Sequence, residues 1–427
     1  MALSGGNDSA ALLGALAQLR RLPGWRHIGL RAIHIDHQLR PASRRWAQGC
    51  RTLGVKLRVP VTVKRVEVPR LRGASLEAQA REVRYAALAA QLRRDEILLT
   101  AHHLEDQLET VLQQLMRGAG VNGLAAMPAS MPFARGMLWR PCLELTRDEL
   151  AAFVARHDLP VSEDDSNADP RFDRNFLRHE ILPRLKARWP AAARVAARSA
   201  AHLGEARELL WALAELDLQR AAPNGVIELA VLAEFSTARQ RNLLRHWLAE
   251  AGLTMPDARH LERIRRELPA ARADAQPLVR WPGGEVRRFR GRLYALIASP
   301  AAPRAVARWR WQRARPVDLG GGVGQLRLRA DPHGPIDGSR LPASLSVRFR
   351  RGGERVAIRA GGGRQSVKEL LRAAGVLPWE REQVPLLYAG RRLIAVGDVY
   401  LAAAFRATGS AGGKRLRLEW VRGSSTH

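Results

Sequence analysis

The residues Ser4-Gly5-Gly6-Asn7-Asp8-Ser9 follow a short apolar stub and precede an apolar helical run, and this loop constrains the fold more than any other feature. Two adjacent glycines let the backbone approach an anion, and the first N–H groups of a helix carry the positive end of its dipole. We therefore predict a phosphate-binding loop over 4–9, to which all six residues contribute. Asp8 would repel a bare phosphate, which favours a magnesium ion between its carboxylate and the phosphate oxygens. A Gly-Asn turn capped by Ser9 is the alternative, and the strand–loop–helix context makes it the weaker one.

The N-terminal part of the chain alternates apolar strands with helical patterns, which is typical of an α/β domain. We predict strands over 28–35, 55–63 and 97–99, and a helix over 104–117. The expected fold class is α/β, with a doubly wound, mostly parallel sheet followed by a helical domain and a small α+β C-terminal domain. The predicted boundaries are 1–188 for the sheet domain, 189–300 for the helical domain, 301–343 for a linker with some β structure around 325–329, and 344–427 for the C-terminal domain.

The chain is strongly basic, since 70 lysines and arginines oppose 41 acids in 427 residues and give a net charge of +29. An Arg-rich compositional bias accounts for part of this excess, and the rest indicates a polyanionic partner. Cys50 and Cys142 are the two cysteines, which argues against a disulfide framework, a zinc site or an iron–sulfur cluster. No apolar run reaches the ~18 residues of a membrane span, and nothing resembles a signal peptide. We therefore expect a cytoplasmic protein that does not enter a membrane.

Asp106 and Glu109 lie three residues apart on a predicted helix and so share one face of it. Such a pair is suited to an ammonium group or to a second magnesium ion. An exposed acidic helix start, stabilised by the helix dipole, would show the same spacing. The position of the pair at the carboxyl end of a predicted strand favours a ligand site.

Several segments resemble the tRNA(Ile)-lysidine synthetase family, a branch of the pyrophosphate-loop ATPases. They are the loop at 4–9 and the segments 76–81, 100–110, 173–178, 346–350 and 375–379, so that the resemblance covers nearly the whole chain. It implies an ATP-dependent ligase that adenylates the wobble cytidine of tRNA(Ile) with a CAU anticodon. The ε-amine of free L-lysine then attacks, which gives lysidine, AMP and pyrophosphate and changes codon reading from AUG to AUA. ATP and Mg²⁺ are the implied cofactors, and residues 4–9 are the implied ATP site, with Asp8 as the metal ligand.

The resemblance also implies catalytic roles for Asp106, Glu109 and Arg178. The lysine side chain has a pKa near 10.4, so about one molecule in 2,500 is unprotonated at pH 7, and nearby carboxylates raise that pKa further. We therefore expect one of the two acids both to bind lysine and to take its proton. Arg178 suits a phosphoryl group in transfer, and outside its motif it would read as one of many solvated arginines.

In the C-terminal domain, Lys368 and Arg372 lie one turn apart on a predicted helix, and Trp379 and Arg381 follow closely. A basic face beside an aromatic ring suits an RNA backbone and stacked bases. For Trp379 itself, a place in the hydrophobic core is an equal alternative. For the domain as a whole, we predict contact with RNA.

Two other functions stay open at this point. In a pyrophosphate-loop tRNA thiolase, Cys50 and Cys142 would serve as nucleophile and partner, although both read as small buried residues. A non-catalytic tRNA-binding protein with a truncated ATP site is the second alternative, because only three residues precede Ser4 and a strand of ordinary length is longer. We expect either a start further upstream or a shortened first strand. The oligomeric state, a homodimer included, also stays open.

Overall fold

The structure is a computed structural model that describes residues 1–38, 42–69, 76–162, 173–272, 275–297, 305–313, 315–320, 322–407 and 415–423. The chain divides into two compact units, Met1–Leu210 and Trp211–His427. Within the described residues, no helix is long and apolar enough to cross a lipid bilayer.

The first unit alternates strands and helices. Its helices are α1 Asn7–Leu19, α2 Ser43–Leu57, α3 Leu76–Gln91, α4 Leu104–Met116, α5 Val121–Leu124, α6 Arg147–Arg156, α7 Asp173–Phe176, α8 Leu182–Arg188 and α9 Ala192–Ala221, the last of which continues past the end of the unit. Its strands are β1 Ala32–Asp36, β2 Val61–Arg65, β3 Ile97–Leu99, β4 Ser130–Phe133 and β5 Gly136–Trp139. A π-helical turn, Leu177–Ile181, separates α7 from α8.

The first three residues of the chain lie between β1 and β3 and join the two halves of the sheet. β1 pairs in parallel with β2, and β3 pairs in parallel with β5, whose other neighbour β4 is antiparallel. Leu3 N donates to Ile33 O and Ala2 N donates to Leu99 O, each at 2.9 Å. Three residues are therefore enough to bond with both neighbouring strands and to place Ser4 at the carboxyl edge of the sheet.

Helices cover both faces of this sheet. One core cluster combines Ala32 with Leu13 of α1 and Leu53 of α2, and the other combines Ile33 with Leu88 of α3. Because successive residues of a strand point to opposite faces, the two clusters lie on opposite sides of the sheet. The predicted doubly wound, mostly parallel sheet is confirmed.

The strand predicted over 55–63 is wrong in its first half. α2 runs to Leu57, and β2 begins only at Val61. Arg58 adopts the left-handed conformation, with φ 54°, and its N–H bonds back to Gly54 and Val55 carbonyls, which ends the helix. The alternating apolar residues of this segment therefore belong to a helix end and a strand start rather than to one strand.

The second unit contains shorter elements. Its helices are α10 Leu229–Glu234, α11 Thr237–Glu250, α12 Ala258–Ala270 and α13 Val367–Ala373. Its strands are β6 Ile227–Glu228, β7 Leu278–Trp281, β8 Gly284–Phe289, β9 Arg292–Leu296, β10 Val306–Trp309, β11 Val317–Asp318, β12 Gln325–Ala330, β13 Ile336–Asp337, β14 Leu345–Arg348, β15 Arg355–Val356, β16 Gln365–Ser366, β17 Leu386–Ala389, β18 Arg392–Val396, β19 Tyr400–Leu401 and β20 Arg415–Val421. The sheet orders are β6-β9-β8-β7, β10-β14-β17-β18-β19, β11-β12-β20-β13 and β15-β16.

The region 189–300, predicted as helical, does contain helices, namely α9 to α12. It also contains the antiparallel sheet β6-β9-β8-β7, which was not predicted. Two tight turns connect these strands, one with φ 100° at Gly283 and one with φ 49° at Arg290 and 75° at Gly291. The strands are only two to six residues long, which leaves too little alternation for a sequence reading to detect.

The linker predicted over 301–343 is wrong for its described residues. Trp309, Leu326 and Ile336 are buried in the same core cluster as Val347 of the C-terminal domain. The strand predicted around 325–329 is present as β12, and it pairs along its whole length with β20. This segment is therefore part of the C-terminal core, because its scattered apolar residues pack against strands that lie far away in the sequence.

Candidate active site

The loop over 4–9 is a backbone turn closed around the hydroxyl of Ser9. The N–H groups of Ser4 and Gly5 both donate to Ser9 Oγ at 3.2 Å, and this hydroxyl donates to Gly6 O at 3.1 Å. Gly5 has φ 97°, which L side chains rarely adopt, and α1 begins directly after the extended Gly6. Because the N–H groups of Ser4 and Gly5 already donate to Ser9, the donors left for a phosphate oxygen are the first N–H groups of α1, which have no intrahelical acceptor.

Asp8 stands in the first turn of α1 with one carboxylate oxygen unpartnered. Its Oδ1 is buried and has no hydrogen-bond partner among the described residues, whereas its Oδ2 lies 3.7 Å from His103 Nε2. Burial raises the pKa of Asp8, an effect that the charge of His103 partly opposes. A buried, unpartnered carboxylate oxygen fits a cation ligand. In the part of the chain that the structure describes, no group of three or more His, Cys, Asp or Glu side chains could hold a metal alone.

His103 connects the phosphate loop to the acidic start of α4. It is the N-cap residue of that helix, and its backbone N–H donates to Asp106 Oδ2 at 3.0 Å. Its Nε2 lies 3.5 Å from the same oxygen, and its Nδ1 lies 3.1 Å from Glu105 Oε2. Burial lowers the pKa of His103, but the Glu105 hydrogen bond and the charges of Asp106 and Asp8 together raise it above its ordinary value. The ring therefore favours its charged form among three carboxylates.

Asp106 and Glu109 are buried, and two arginines bridge them. Arg174 donates from Nε to Glu109 Oε2 at 2.7 Å and from Nη2 to Asp106 Oδ1 at 2.6 Å. Arg178 donates from Nε to Glu109 Oε1 at 2.7 Å, and from Nη2 to Asp106 Oδ1 and Glu109 Oε2, both at 3.0 Å. Burial raises the pKa of Asp106, but the charges of His103 and Arg174 outweigh it and lower that pKa. The predicted residues Asp106, Glu109 and Arg178 thus form one cluster.

Glu105 is a third buried acid in the same helical turn. Its Oε1 accepts from Lys186 Nζ at 2.5 Å, and its Oε2 accepts from the backbone N–H of Arg147 at 2.9 Å. Burial raises the pKa of Glu105, but the hydrogen bonds from His103, Lys186 and Arg147 N lower it well below its usual range. Glu105 therefore stays ionised and holds α4, α6 and α8 together.

Both cysteines are buried in the first unit. Cys50 lies in α2, where its Sγ is 3.4 Å from His34 Nδ1 and close to Gly5. Burial raises the pKa of Cys50 to about 12 and that of Cys142 to about 11. Both side chains are therefore neutral thiols at physiological pH, and a neutral thiol is a poor nucleophile.

Comparison with known proteins shows which family the chain belongs to. The PP-loop domain family matches residues 1–185, the TilS substrate binding domain family matches 228–294, and the TilS substrate C-terminal domain family matches 345–420. A tRNA(Ile)-lysidine synthase of Alkalilimnicola ehrlichii is 42% identical over 407 residues, which are 95% of this chain and 91% of that protein. A tRNA(Ile)-lysidine synthase of Ralstonia nicotianae is 44% identical over 404 residues, which are 92% of this chain and 87% of that protein. The chain belongs to the tRNA(Ile)-lysidine synthase family.

The family predicted from the sequence is thus confirmed. Among solved structures, a TilS C-terminal domain covers 26% of this chain and 92% of its own length, at 23% identity and a TM-score of 0.22. The matches at 228–294 and 345–420 both fall in the second unit.

In the second unit of this lysidine synthase family member, Trp379 is a packing residue. Its ring meets Tyr294 and Phe289 edge-on, with centroids 5.1 Å and 6.2 Å away, and the Arg287 guanidinium lies 5.5 Å from the ring centre. These partners belong to the segment 228–294. Trp379 therefore packs between that segment and the C-terminal domain. Trp379 is half-buried and lies outside the hydrophobic core clusters, so it packs at their edge rather than within the core.

Arg381 lies two residues after Trp379 and feels the charges of three other arginines. Burial, together with the charges of Arg350, Arg290 and Arg372, lowers the pKa of Arg381. Arg350 Nε is buried without a hydrogen-bond partner among the described residues, and Glu354 Oε2 lies 3.9 Å from it. Neighbouring guanidiniums that repel one another form a favourable place for a phosphate group.

Sequence reasoning missed Arg174, His103, Glu105 and Lys186 as site residues. Arg174 carried a detectable signal, because it stands four residues before Arg178 and the two side chains share a helix face. Lys186 carried none, since 81 residues separate it from Glu105 and only the tertiary fold brings them together.

Proposed function

We propose that this chain is a tRNA(Ile)-lysidine synthase. It uses ATP to adenylate the carbonyl oxygen of the wobble cytidine in tRNA(Ile) with a CAU anticodon, and it joins the activated carbon to the ε-amine of free L-lysine. The products are lysidine in the tRNA, AMP and pyrophosphate. The observation that carries the proposal is the His103 bridge, which brings the phosphate loop and the acid pair into one site in a member of this family.

ATP is bound by the loop Ser4-Gly5-Gly6-Asn7-Asp8-Ser9. The first N–H groups of α1, which have no intrahelical acceptor, are the donors that a phosphate oxygen would engage. Asp8 would hold Mg²⁺, since its Oδ1 is buried and unpartnered among the described residues. Mg²⁺ usually binds through one or two carboxylates and takes its other ligands from phosphates and water. Bound there, it would neutralise charge on the phosphates.

Asp106 and Glu109 bind the lysine side chain in this proposal, and one of them takes its proton during attack. In the cluster described above, the pKa of Asp106 is lowered by its cationic neighbours, which makes it a weak base. Movement of a guanidinium away from Asp106 would raise that pKa and strengthen the base. Arg178 is then free to stabilise charge on the phosphoryl group, the role expected of it from the sequence.

The thiolase alternative requires a reactive thiol. Cys50 and Cys142 are buried and their pKa values are raised, so neither is suited to attack or to carry a persulfide. The non-catalytic alternative rested on a shortened first strand, and that strand bonds to both of its neighbours. Neither alternative gains support from the site.

The macromolecular partner is a tRNA, which the basic charge of the chain and the arginines around Arg381 favour. Such an enzyme meets its tRNA in the cytoplasm. A homodimer stays a prediction, which sedimentation of the full chain tests.

The test is mass spectrometry of tRNA(Ile) with a CAU anticodon after incubation with the protein, ATP and L-lysine. A mass increase of one lysine residue that requires ATP is the expected result, and an unchanged mass with folded protein refutes the proposal.

Asp106→Asn separates the two steps of the proposed reaction. It should abolish lysine transfer and leave adenylation of the tRNA detectable as pyrophosphate release. Asp148→Asn is the matched control, because Asp148 also stands in the first turn of a helix but is exposed and outside the cluster. Equal loss of both steps in Asp106→Asn would contradict the division of labour.

A further inference from the structure

The acid pair already holds as much positive charge as it can balance. Two carboxylates, Asp106 and Glu109, oppose two guanidiniums, Arg174 and Arg178, and the side chains of the acids are 7% and 1% exposed. The neighbouring cations His103 and Lys186 are matched by two further carboxylates, Asp8 and Glu105. One more positive charge in this buried cluster would therefore have no counter-charge, which is costly away from water. The ammonium group of lysine therefore does not fit while both guanidiniums remain.

The hydrogen-bonding capacity of the two acids leads to the same conclusion. A carboxylate oxygen accepts about two hydrogen bonds. Asp106 Oδ1 accepts from both arginines, and so does Glu109 Oε2. Asp106 Oδ2 accepts from His103 N, and Glu109 Oε1 accepts from Arg178. Two acceptor positions therefore remain, one on Asp106 Oδ2 and one on Glu109 Oε1, which are too few for the three hydrogens of an ammonium group.

The backbone that carries the two arginines is suited to movement. Arg174 lies on α7, which has only four residues, and Arg178 lies in the π-helical turn that follows. Short helices are marginal by themselves, and π-helical turns are rare and often found at functional sites. The two side chains are 27% and 19% exposed, so an anion can reach them from solvent.

Phosphate is the anion that competes best for these guanidiniums, since it matches their planar fork as well as a carboxylate does. The phosphate loop is close, because His103 Nε2 lies 3.7 Å from Asp8 and 3.5 Å from Asp106.

We propose that Arg174 and Arg178 form an arginine latch that occupies the lysine site until phosphate groups of ATP or tRNA draw at least one guanidinium away. Lysine then binds last, onto an acid pair that has gained net negative charge. The latch neutralises the charge of the buried carboxylates in the free enzyme. It also prevents lysine from binding before the cytidine has been activated for attack. The inference rests on the proposed function, in which lysine is the substrate of the acid pair.

The test measures binding of radiolabelled L-lysine by equilibrium dialysis with the full chain. The wild type is compared without ligands, with unmodified tRNA(Ile) alone, with α,β-methylene ATP alone, and with both. The analogue cannot be cleaved at the bond that adenylation breaks, and the two single-ligand arms show whether phosphates of ATP or of tRNA draw the guanidinium away. The two ligands should tighten lysine binding by about tenfold or more, within the usual range of coupling between sites.

Arg174→Gln removes one positive charge, so it should tighten lysine binding to the free enzyme by about tenfold and make it nearly independent of the two ligands. Arg174→Lys keeps the charge and should bind lysine as weakly as the wild type. Lys186→Gln is the matched control, since it removes a nearby positive charge from Glu105 and not from the acid pair. A purely structural role for Arg174 predicts unchanged or weaker lysine binding in Arg174→Gln, and that result overturns the latch.

If Arg174→Gln does not fold, lysine binding to the wild type with and without the ATP analogue and tRNA still tests the latch. Lysine affinity that is the same with and without the ATP analogue and tRNA overturns the latch and leaves the proposed function standing. No lysine binding under either condition counts against the proposed function itself.

Discussion

Gly5→Ala should destabilise the phosphate loop, whereas Gly6→Ala should not. Gly5 has φ 97°, a conformation that costs other residues about 1–3 kcal/mol. The added Cβ would also lie 3.2 Å from Cys50 Sγ, which is tighter than nine in ten real Cβ contacts. Gly6 has φ −81°, and its nearest neighbour would be Ser4 Oγ at 3.9 Å. A Gly→Ala change at such a compatible position is stabilising by about 0.4–1 kcal/mol.

We take about 2 kcal/mol as the cost of Gly5→Ala, which corresponds to amide exchange about 30 times faster at the start of α1. Hydrogen exchange with mass spectrometry, followed on peptides from residues 1–19, reads this local opening without requiring the whole two-unit chain to unfold in one step. The amide of Ala10 is the best reporter, because it donates to Gly6 O at 3.0 Å and closes the first turn.

A second change separates the two contributions to this cost. Cys50→Ala removes the sulfur that crowds the new methyl group, so the penalty of Gly5→Ala should fall in that background by the steric part alone. The remaining penalty then measures the backbone conformation. Equal exchange in Gly5→Ala and Gly6→Ala would refute the reasoning, because it would mean that the positive φ of Gly5 is not required.

Three further predictions follow from particular residues. The variant that combines Cys50→Ser with Cys142→Ser should still join lysine to tRNA, as mass spectrometry of the tRNA would show, and loss of activity in a folded variant would favour a thiol mechanism. Arg372→Gln should weaken tRNA binding and reduce the slope of log affinity against log salt by about 0.7–0.9, measured by filter binding, whereas an unchanged slope would remove this residue from the interface. The hydrogen bond from Arg31 lowers the pKa of Glu96 to about 2, so stability that this pair contributes is complete above about pH 4.3 and is lost as the pH falls toward 2. Glu96→Gln should therefore flatten the acid side of a thermal-stability profile, and a profile identical to that of the wild type would contradict this.

The sheet of the first unit and the loop that precedes α1 could be predicted from the sequence, because their signals are local. A Gly-Gly pair before a helix, and apolar runs of strand length, depend on the neighbours of each residue in the chain. The error at 55–63 shows the limit of such patterns. Val55 and Val61 belong to the same alternating series of apolar residues, but Val55 lies in α2 and Val61 in β2. The left-handed conformation of Arg58, which ends the helix between them, does not show in that series.

The core role of residues 305–343 could not be predicted, because it depends on distant pairing. β12 is stabilised as a strand by pairing with β20. β12 ends at Ala330 and β20 begins at Arg415, 85 residues later in the sequence. The buried tryptophans of this region, Trp309 and Trp311, are held by carbonyl groups of Arg315 and Pro342. A sequence rich in Pro, Gly and Arg does not reveal these contacts.

The acid pair was correctly placed on one helix face, but its surroundings were not foreseen. The spacing of Asp106 and Glu109 predicts two carboxylates that face the same way, and it predicts nothing about what neutralises them. The neutralising residues, Arg174 and Arg178, come from 65 to 72 residues further along the chain. An open ammonium site and a closed ion cluster therefore have the same sequence signature, and they differ only in tertiary contacts.

That difference changes how the basic character of the chain should be understood at the active site. Lys186 neutralises Glu105 there, just as the two arginines neutralise the acid pair. Before any substrate binds, the negative charges of the α4 acids are therefore balanced by positive side chains. ATP and tRNA both bring negative charge to this balanced cluster, and lysine brings positive charge. Binding of the anions first lowers the cost of admitting the cation, whereas binding of the cation first raises its own cost. The order of substrate binding can therefore follow from charge balance and from displacement of the arginine side chains, without a separate moving lid.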